Sequence, residues 1–212
     1  MSNHQDFDEK FLNQFSSIET ERICLALSGG LDSIILLHLM HAHLEKKYKI
    51  RAIHVNHNLN ESSDDWSAFC EKQCNQLGID LTIKSIHPIN EGFGIEANAR
   101  YERYRVIRES LSSNELLLTA HHKDDQLETI LFRIFRGTGI DGLKGISHYM
   151  DNKGCNIFRP LLEYSRADLE EYANENNMEW IEDDSNKNIS FDRNYIRNIL
   201  IPKIKDRWKN VE

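Results

Sequence analysis

What the chain lacks narrows it first. No apolar run in its 212 residues reaches the ~18 needed to span a bilayer. The polar opening Met1-Ser2-Asn3-His4-Gln5-Asp6 does not read as a secretory signal. Cys24, Cys70, Cys74 and Cys155 are too few for a disulfide framework in a chain of this length, so a reducing, cytoplasmic setting is expected. Cys70 and Cys74 stand four apart on a predicted helix and read as small apolar residues, because no second ligand pair follows at the spacing zinc requires. Internal repeats, low-complexity tracts and a clear domain linker are also missing.

What remains is a chain with 40% hydrophobic and 28% charged residues, enough for one soluble domain with a packed core. Its formal net charge of −8 speaks, on its face, against a nucleic-acid partner. The charge is unevenly spread. Between Glu163 and Asp184 nine acids face Arg166 alone, whereas from Lys187 to Lys209 seven bases face Asp192 and Asp206. Such a basic end suits a phosphate backbone and an ordinary solvated helix equally well.

The densest signal is Ser28-Gly29-Gly30-Leu31-Asp32-Ser33, set between the apolar runs Ile23–Leu27 and Ile34–Leu37. The pattern predicts strand, tight turn and helix. Gly29 and Gly30 permit positive φ and a close backbone approach. The first N–H groups of the helix have no partner within it, and the turn therefore favours an anion, phosphate being the usual one. Ser28 and Ser33 add hydroxyl groups, and Asp32 can hold a magnesium ion between phosphates. The Gly-x-x-x-x-Gly-Lys loop of other nucleotide sites does not stand here, nor does Gly-x-Gly-x-x-Gly at this turn.

Strand and helix alternate onward: strand 49–54, helix 64–77, strand 81–86, helix 95–111, strand 116–119 and helix 124–136, with a glycine-rich connection over 137–145 and an irregular final third. Residues 1–20 read as a leader or short helix ahead of a domain covering 21–212. The fold class is α/β, an open, mostly parallel sheet with helices on both faces. Ligands of such sheets sit at the carboxyl ends of the strands. The turn, His54-Val55-Asn56-His57 and Thr119-Ala120-His121-His122 should therefore meet in one crevice.

Four further segments stand out. In Asp124-Asp125-Gln126-Leu127-Glu128-Thr129 the helical stripe Leu127, Ile130, Leu131, Ile134 leaves Asp125, Glu128 and Thr129 on another face. Capping accounts for one aspartate, with Asp124 the natural cap; two carboxylates beside a phosphate loop still suggest chemistry. In Ala99-Arg100-Tyr101-Glu102-Arg103-Tyr104 the tyrosines read as core, and the arginines suit a phosphate or carboxylate. Asp183-Asp184-Ser185-Asn186 and Arg193-Asn194-Tyr195-Ile196-Arg197 are, alone, turn and cap residues.

The loop resembles that of the ATP pyrophosphatases, a Rossmann-like superfamily (the adenine nucleotide alpha hydrolase-like fold) whose loop grips the β- and γ-phosphates while ATP is cleaved to AMP and pyrophosphate. Taken in order with Arg136–Leu143, Arg159-Pro160-Leu161-Leu162 and the clusters above, it is similar to the tRNA(Ile)-lysidine synthases, from about Arg22 onward. That resemblance implies ATP-dependent ligation of L-lysine to C2 of the wobble cytidine in tRNA(Ile) with a CAU anticodon. It passes through an adenylated cytidine, with ATP and Mg2+ required. It implies that Ser28, Gly29, Gly30, Leu31, Asp32 and Ser33 hold ATP, with His54 and Val55 near the adenine. Asp32 would carry the metal. Asp125, and second to it Asp124, would take the proton from the lysine ammonium. Arg100 would meet the activated intermediate, with Arg103, Glu128, Arg136, Arg193 and Arg197 contacting substrate or tRNA. Longer members use further sequence to hold the tRNA body, so tight tRNA binding is not expected of these residues alone. The oligomeric state is left open between monomer and homodimer. The rivals are a tRNA thiolase on the same scaffold, which commonly uses Cys-x-x-Cys pairs, a small-molecule adenylating synthetase, and a nucleotide- or tRNA-binding module without turnover.

Overall fold

The computed structural model describes residues 3–58, 61–87, 95–152 and 155–208. The expected loop 88–94, and Leu59 and Asn60 of the polar loop before it, lie outside these residues. Helix α1 spans Asn3–Asn13. It is followed by β1 (Arg22–Ala26), α2 (Leu31–Leu44), β2 (Lys49–Asn56), α3 (Ser63–Leu77) and β3 (Asp80–Ser85). Then come α4 (Ile95–Ser110), β4 (Glu115–Leu118), α5 (Lys123–Phe135), β5 (Tyr149–Asn152), β6 (Cys155–Phe158) and α6 (Arg166–Glu175). Short 3-10 turns cover Ile140–Lys144 and Asp184–Lys187, and α7 (Asp192–Tyr195) runs through a π-turn at Ile196–Leu200 into α8 (Ile201–Arg207).

The strands form a six-stranded sheet in the order β3-β2-β1-β4-β6-β5. All neighbours are parallel except the β5–β6 hairpin. The chain steps outward from β1 to β2 to β3, then returns to lay β4 on the other side of β1. At that reversal the connections after β1 and β4 leave toward opposite faces, which opens a crevice at the carboxyl ends of both strands.

Both faces of the sheet are covered, so its central strands read as unbroken apolar runs. Alternation assigns the sides. Ile23, Leu25, Leu116 and Leu118 pack with the buried residues of α1, α2 and α6. Cys24, Ile53, Leu117 and Ile157 pack with Ile107 of α4 on the other face. Nine of the fourteen positions of α2 are buried, and each such Leu or Ile contributes about 1.5–3 kcal/mol. Among the described residues no helix is long and apolar enough to cross a membrane.

Three features refine or correct the sequence reading. The first residues form the short helix that was one of two readings, and its Phe11, with Phe15 just beyond it, belongs to the core. The final third is less irregular than expected, because β5 and β6 extend the sheet. The apolar stripe of α5 is not its inward face: Glu128 and Thr129 are buried, whereas Ile134 is exposed. The glycines of Gly137-Thr138-Gly139-Ile140-Asp141-Gly142 have dinucleotide-loop spacing, but they follow a helix and enter a 3-10 turn, which is not the strand-to-helix setting that motif requires.

Candidate active site

The turn after β1 is held by its own side chains. Gly29 has φ +86°, and its carbonyl accepts from the Ile181 N–H at 2.9 Å. A methyl group there would lie 2.8 Å from Ile181 Cδ1 and 3.1 Å from Cys70 Sγ, so conformation and space both require glycine. Ser33 Oγ accepts from the N–H groups of Ser28 and Gly29 and donates to the Gly30 carbonyl, over 2.9–3.2 Å. Ser33 therefore shapes the loop from within. Gly30 is the N-cap of α2 and, as a glycine, offers no side-chain cap. That leaves the first turn of the helix facing the crevice with Asp32 on it.

Two hollows share Ser28, Gly30, Asp32 and Arg197. The first, of about 460 Å3, adds His54, Val55, Arg100, Arg103, Asp125 and Arg193. The second, of about 440 Å3, adds Leu31, Asp124, Glu128 and Arg166. Each lies within the range of small-ligand sites. A larger depression, about 920 Å3, lies at the opposite end of the strands around Thr20, Asn114 and Tyr149, away from the loop. The convergence expected of the turn, the end of β2 and the end of β4 is thus present.

The carboxylates have distinct settings. His122, not Asp124, is the N-cap of α5: its Nδ1 accepts from the Asp124 N–H at 3.2 Å. Asp125 closes the capping box by accepting from the His122 N–H at 3.0 Å. With Nδ1 an acceptor, a neutral His122 carries its proton on Nε2, which faces Asp32 at 3.8 Å and Asp125 at 3.7 Å. Asp125 opens onto the first hollow with Arg197 Nη2 3.5 Å from its other oxygen. Asp124 turns away, receiving Lys205 Nζ at 2.7 Å and the Arg166 N–H at 2.8 Å. Despite partial burial, those two donors hold the Asp124 carboxyl below its usual range. Asp32 shifts upward, because burial outweighs His122 and Arg166. Glu128 is also raised by burial, with Arg197 opposing.

The basic side is less paired. Arg100 and Arg103 lie over the Tyr104 ring, 5.4 and 5.8 Å from its centroid. Burial, with Arg100 and Arg193 nearby, pulls Arg103 below its ordinary pKa. Tyr104 is half-buried, but Tyr101 is 65% exposed and is not the core residue expected. Arg193 stacks on Phe132 at the edge of the first hollow. Arg136 stacks on the same ring and pairs with Asp192 at 3.7 Å, outside both hollows. His54 sits against the loop, its Nδ1 2.9 Å from the Leu27 carbonyl, and burial lowers its pKa.

Sequence reasoning missed His122, Arg166, Lys205 and His121. Arg166 was visible as the lone base of an acidic stretch, and His121 and His122 stood within a quoted motif without a role. The four cysteines are free and buried, and burial raises Cys24 and Cys70 to about 12. They are inert packing residues in this state.

The residues present fit a nucleotide triphosphate with magnesium. The open α2 terminus and glycine turn suit phosphate oxygens. A single carboxylate such as Asp32 suffices for a magnesium ion when phosphates and water complete its shell.

The PP-loop domain family matches residues 3–204 of the chain. Similar curated relatives include the tRNA(Ile)-lysidine synthase of Actinobacillus pleuropneumoniae, 44% identical over 88% of this chain and 43% of the relative. Those of Histophilus somni and Coxiella burnetii are 43% and 40% identical, over 95% of this chain and 47% and 45% of theirs. The chain therefore spans less than half the length of these relatives. Among solved structures, the U34-tRNA thiolase NcsA from Methanococcus maripaludis with its [4Fe-4S] cluster superposes with a TM-score of 0.76 at 15% identity, over 97% of this chain and 73% of that one. The NH3-dependent NAD synthetase of Campylobacter jejuni gives 0.56 at 15% identity, over 100% and 89%. At such identities these two speak to the fold alone.

Proposed function

Since the chain belongs to the PP-loop domain family, we propose that its crevice binds ATP and activates the wobble cytidine of tRNA(Ile) with a CAU anticodon for attack by L-lysine. The observation that carries this reading is the meeting, in one crevice, of the anion-binding turn, Asp125 and the arginines of α4. The three sequence relatives named above, all tRNA(Ile)-lysidine synthases, supply the substrate.

The C2 oxygen of cytosine is a poor leaving group. Attack of that oxygen on the α-phosphorus of ATP releases pyrophosphate and converts it to a good one. The lysine amine then adds at C2, AMP departs, and the amine gives up its proton. The turn and the first N–H groups of α2 hold the triphosphate where charge gathers on the leaving pyrophosphate. Asp32 would hold magnesium, which supplies further neutralisation of that charge. Free lysine is nearly all ammonium at neutral pH, with a side-chain pKa near ~10.4, so a carboxylate has to take a proton before attack. Asp125 opens onto the crevice and is the base in this scheme. Asp124, held by Lys205 and the Arg166 N–H, serves position instead. Glu128, buried and held by Arg197, keeps that guanidinium in place beside Asp125, and Arg100 and Arg103 face the phosphate of the activated cytidine. The buried His54 and Val55 border the adenine.

The test is pyrophosphate release with ATP, magnesium, L-lysine and the isoleucine tRNA, each omitted in turn. Release that needs ATP and tRNA, with a lysine-dependent nucleoside product, supports the scheme. Dependence on a sulfur donor instead would select a thiolase, and no release under any condition a binding module.

A further inference from the structure

The Arg166 side chain has no part in the scheme above, yet it pairs with Asp32. Its Nη1 donates to the two Asp32 oxygens at 2.9 and 3.2 Å. Its Nε donates to Glu170 at 2.8 Å, and its backbone N–H is fixed by Asp124 at 2.8 Å. The side chain is 40% exposed and lines the second hollow together with Ser28, Gly30 and Asp32. A long, half-open cationic arm is thus rooted by α5 and α6, with its head at the mouth of the anion-binding turn.

The arrangement has an electrostatic logic. A carboxylate at the mouth of a phosphate site repels phosphate unless a cation stands between them. In this structure that cation is the Arg166 guanidinium. Once Asp32 turns to a metal ion, the guanidinium is released within reach of the same space. Its planar fork then matches the oxygens of a phosphate better than any other side chain does. The two hollows divide the work. Arg100, His54 and Val55 line the first, whereas Arg166 faces only the second. A nucleotide whose phosphates pass Ser28 and Gly30 would place its adenosine in the one and its terminal phosphates in the other.

We propose that Arg166 is a binding residue for the β- and γ-phosphates: it neutralises Asp32 before nucleotide binds, then passes to the terminal phosphates and stays with pyrophosphate as it leaves. This rests on the ATP-cleaving reading and assigns Asp124 its task, which is to hold the Arg166 backbone at the correct height. A purely structural ion pair between α6 and the loop is the competing account.

Calorimetric titration of the whole chain with ATP, AMP and inorganic pyrophosphate, each with magnesium, separates the two. In Arg166→Gln the affinity for ATP and pyrophosphate should fall roughly ten- to hundredfold, the size expected for a charge-assisted hydrogen bond, while AMP binding changes less than about twofold. Arg166→Lys keeps the charge and the pairing with Asp32 but loses the fork, and should recover part of the loss. Melting temperatures of both variants report whether the fold survives. A parallel fall in ATP and AMP affinity, or no fall in either, overturns the proposal. Wild-type protein that binds neither ATP nor pyrophosphate overturns the ATP reading itself, and this inference with it.

Discussion

Arg197 donates to both carboxylate oxygens of Glu128, through Nη2 at 2.9 Å and through Nε. Glu128 is only 2% exposed, so this pair ties the last helical segment to the buried side of α5. Without it a carboxylate would stand unpaired beneath the crevice.

Replacing Arg197 by Met should cost about 2 kcal/mol, below the 3–5 kcal/mol of a fully buried pair because water reaches the guanidinium. Burial holds Glu128 above its ordinary pKa, and removal of Arg197 raises it further. A carboxylate whose folded pKa is raised weakens the fold as pH climbs from its unfolded value, near ~4.3, toward the folded one. The deficit should therefore be small near pH 4 and larger at pH 7. Urea unfolding at both pH values measures it, and the double variant with Glu128→Gln should regain most of the loss. Equal stability of Arg197→Met and wild type at pH 7 would count against the pair.

Asp125→Asn should leave ATP binding intact and abolish lysidine formation. Its amide oxygen can still accept from the His122 N–H, so the capping box survives and stability should change by less than about 1 kcal/mol. Thermal melting, ATP titration and product analysis together check this. Full turnover in the variant would remove Asp125 from the chemistry.

Gly29→Ala combines a positive φ with contact against Ile181 and Cys70. The expected outcome is a loss of about 1–2 kcal/mol and of measurable ATP binding, read by melting and titration. Unchanged nucleotide affinity would mean that the turn is not the triphosphate seat.

Burial lowers His121 to about 4, with Arg159, Arg100 and Arg103 adding to the effect and Asp125 opposing it. Its unfolded value is near ~6.5, so the unfolded chain binds the proton first and stability falls as pH drops from about 6.5 toward 4. His38, His54 and His57 are lowered as well and contribute in the same direction. His121→Gln should flatten part of this fall, and NMR titration of the ring locates its own share. A His121 that titrates near 6.5 would show the site to be far wetter than described.

How much of this was legible beforehand follows from how local each signal is. The glycine turn and the buried parallel strands are written in contiguous residues, and they were read correctly. The β5–β6 hairpin was not, because Tyr149-Met150-Asp151-Asn152 and Cys155-Asn156-Ile157-Phe158 are short and show no clean alternation. Helix α1 left a faint trace, Phe7, Phe11 and Phe15 at four-residue spacing. The inverted burial of α5 could not be read from its own pattern, since it depends on Arg197, distant in the chain. Arg166 was seen only as a charge without neighbours, and its meaning is tertiary.

Phe7 of α1 lies against Tyr164 and Tyr172, with ring centroids 4.3 and 4.5 Å apart, and those tyrosines flank the turn that begins with Arg166. The helix that carries Arg166 is thus propped from behind by α1. If Arg166 meets the terminal phosphates as proposed, a protease nick that loosens α1 is expected to weaken nucleotide binding without disturbing any group that touches the ligand.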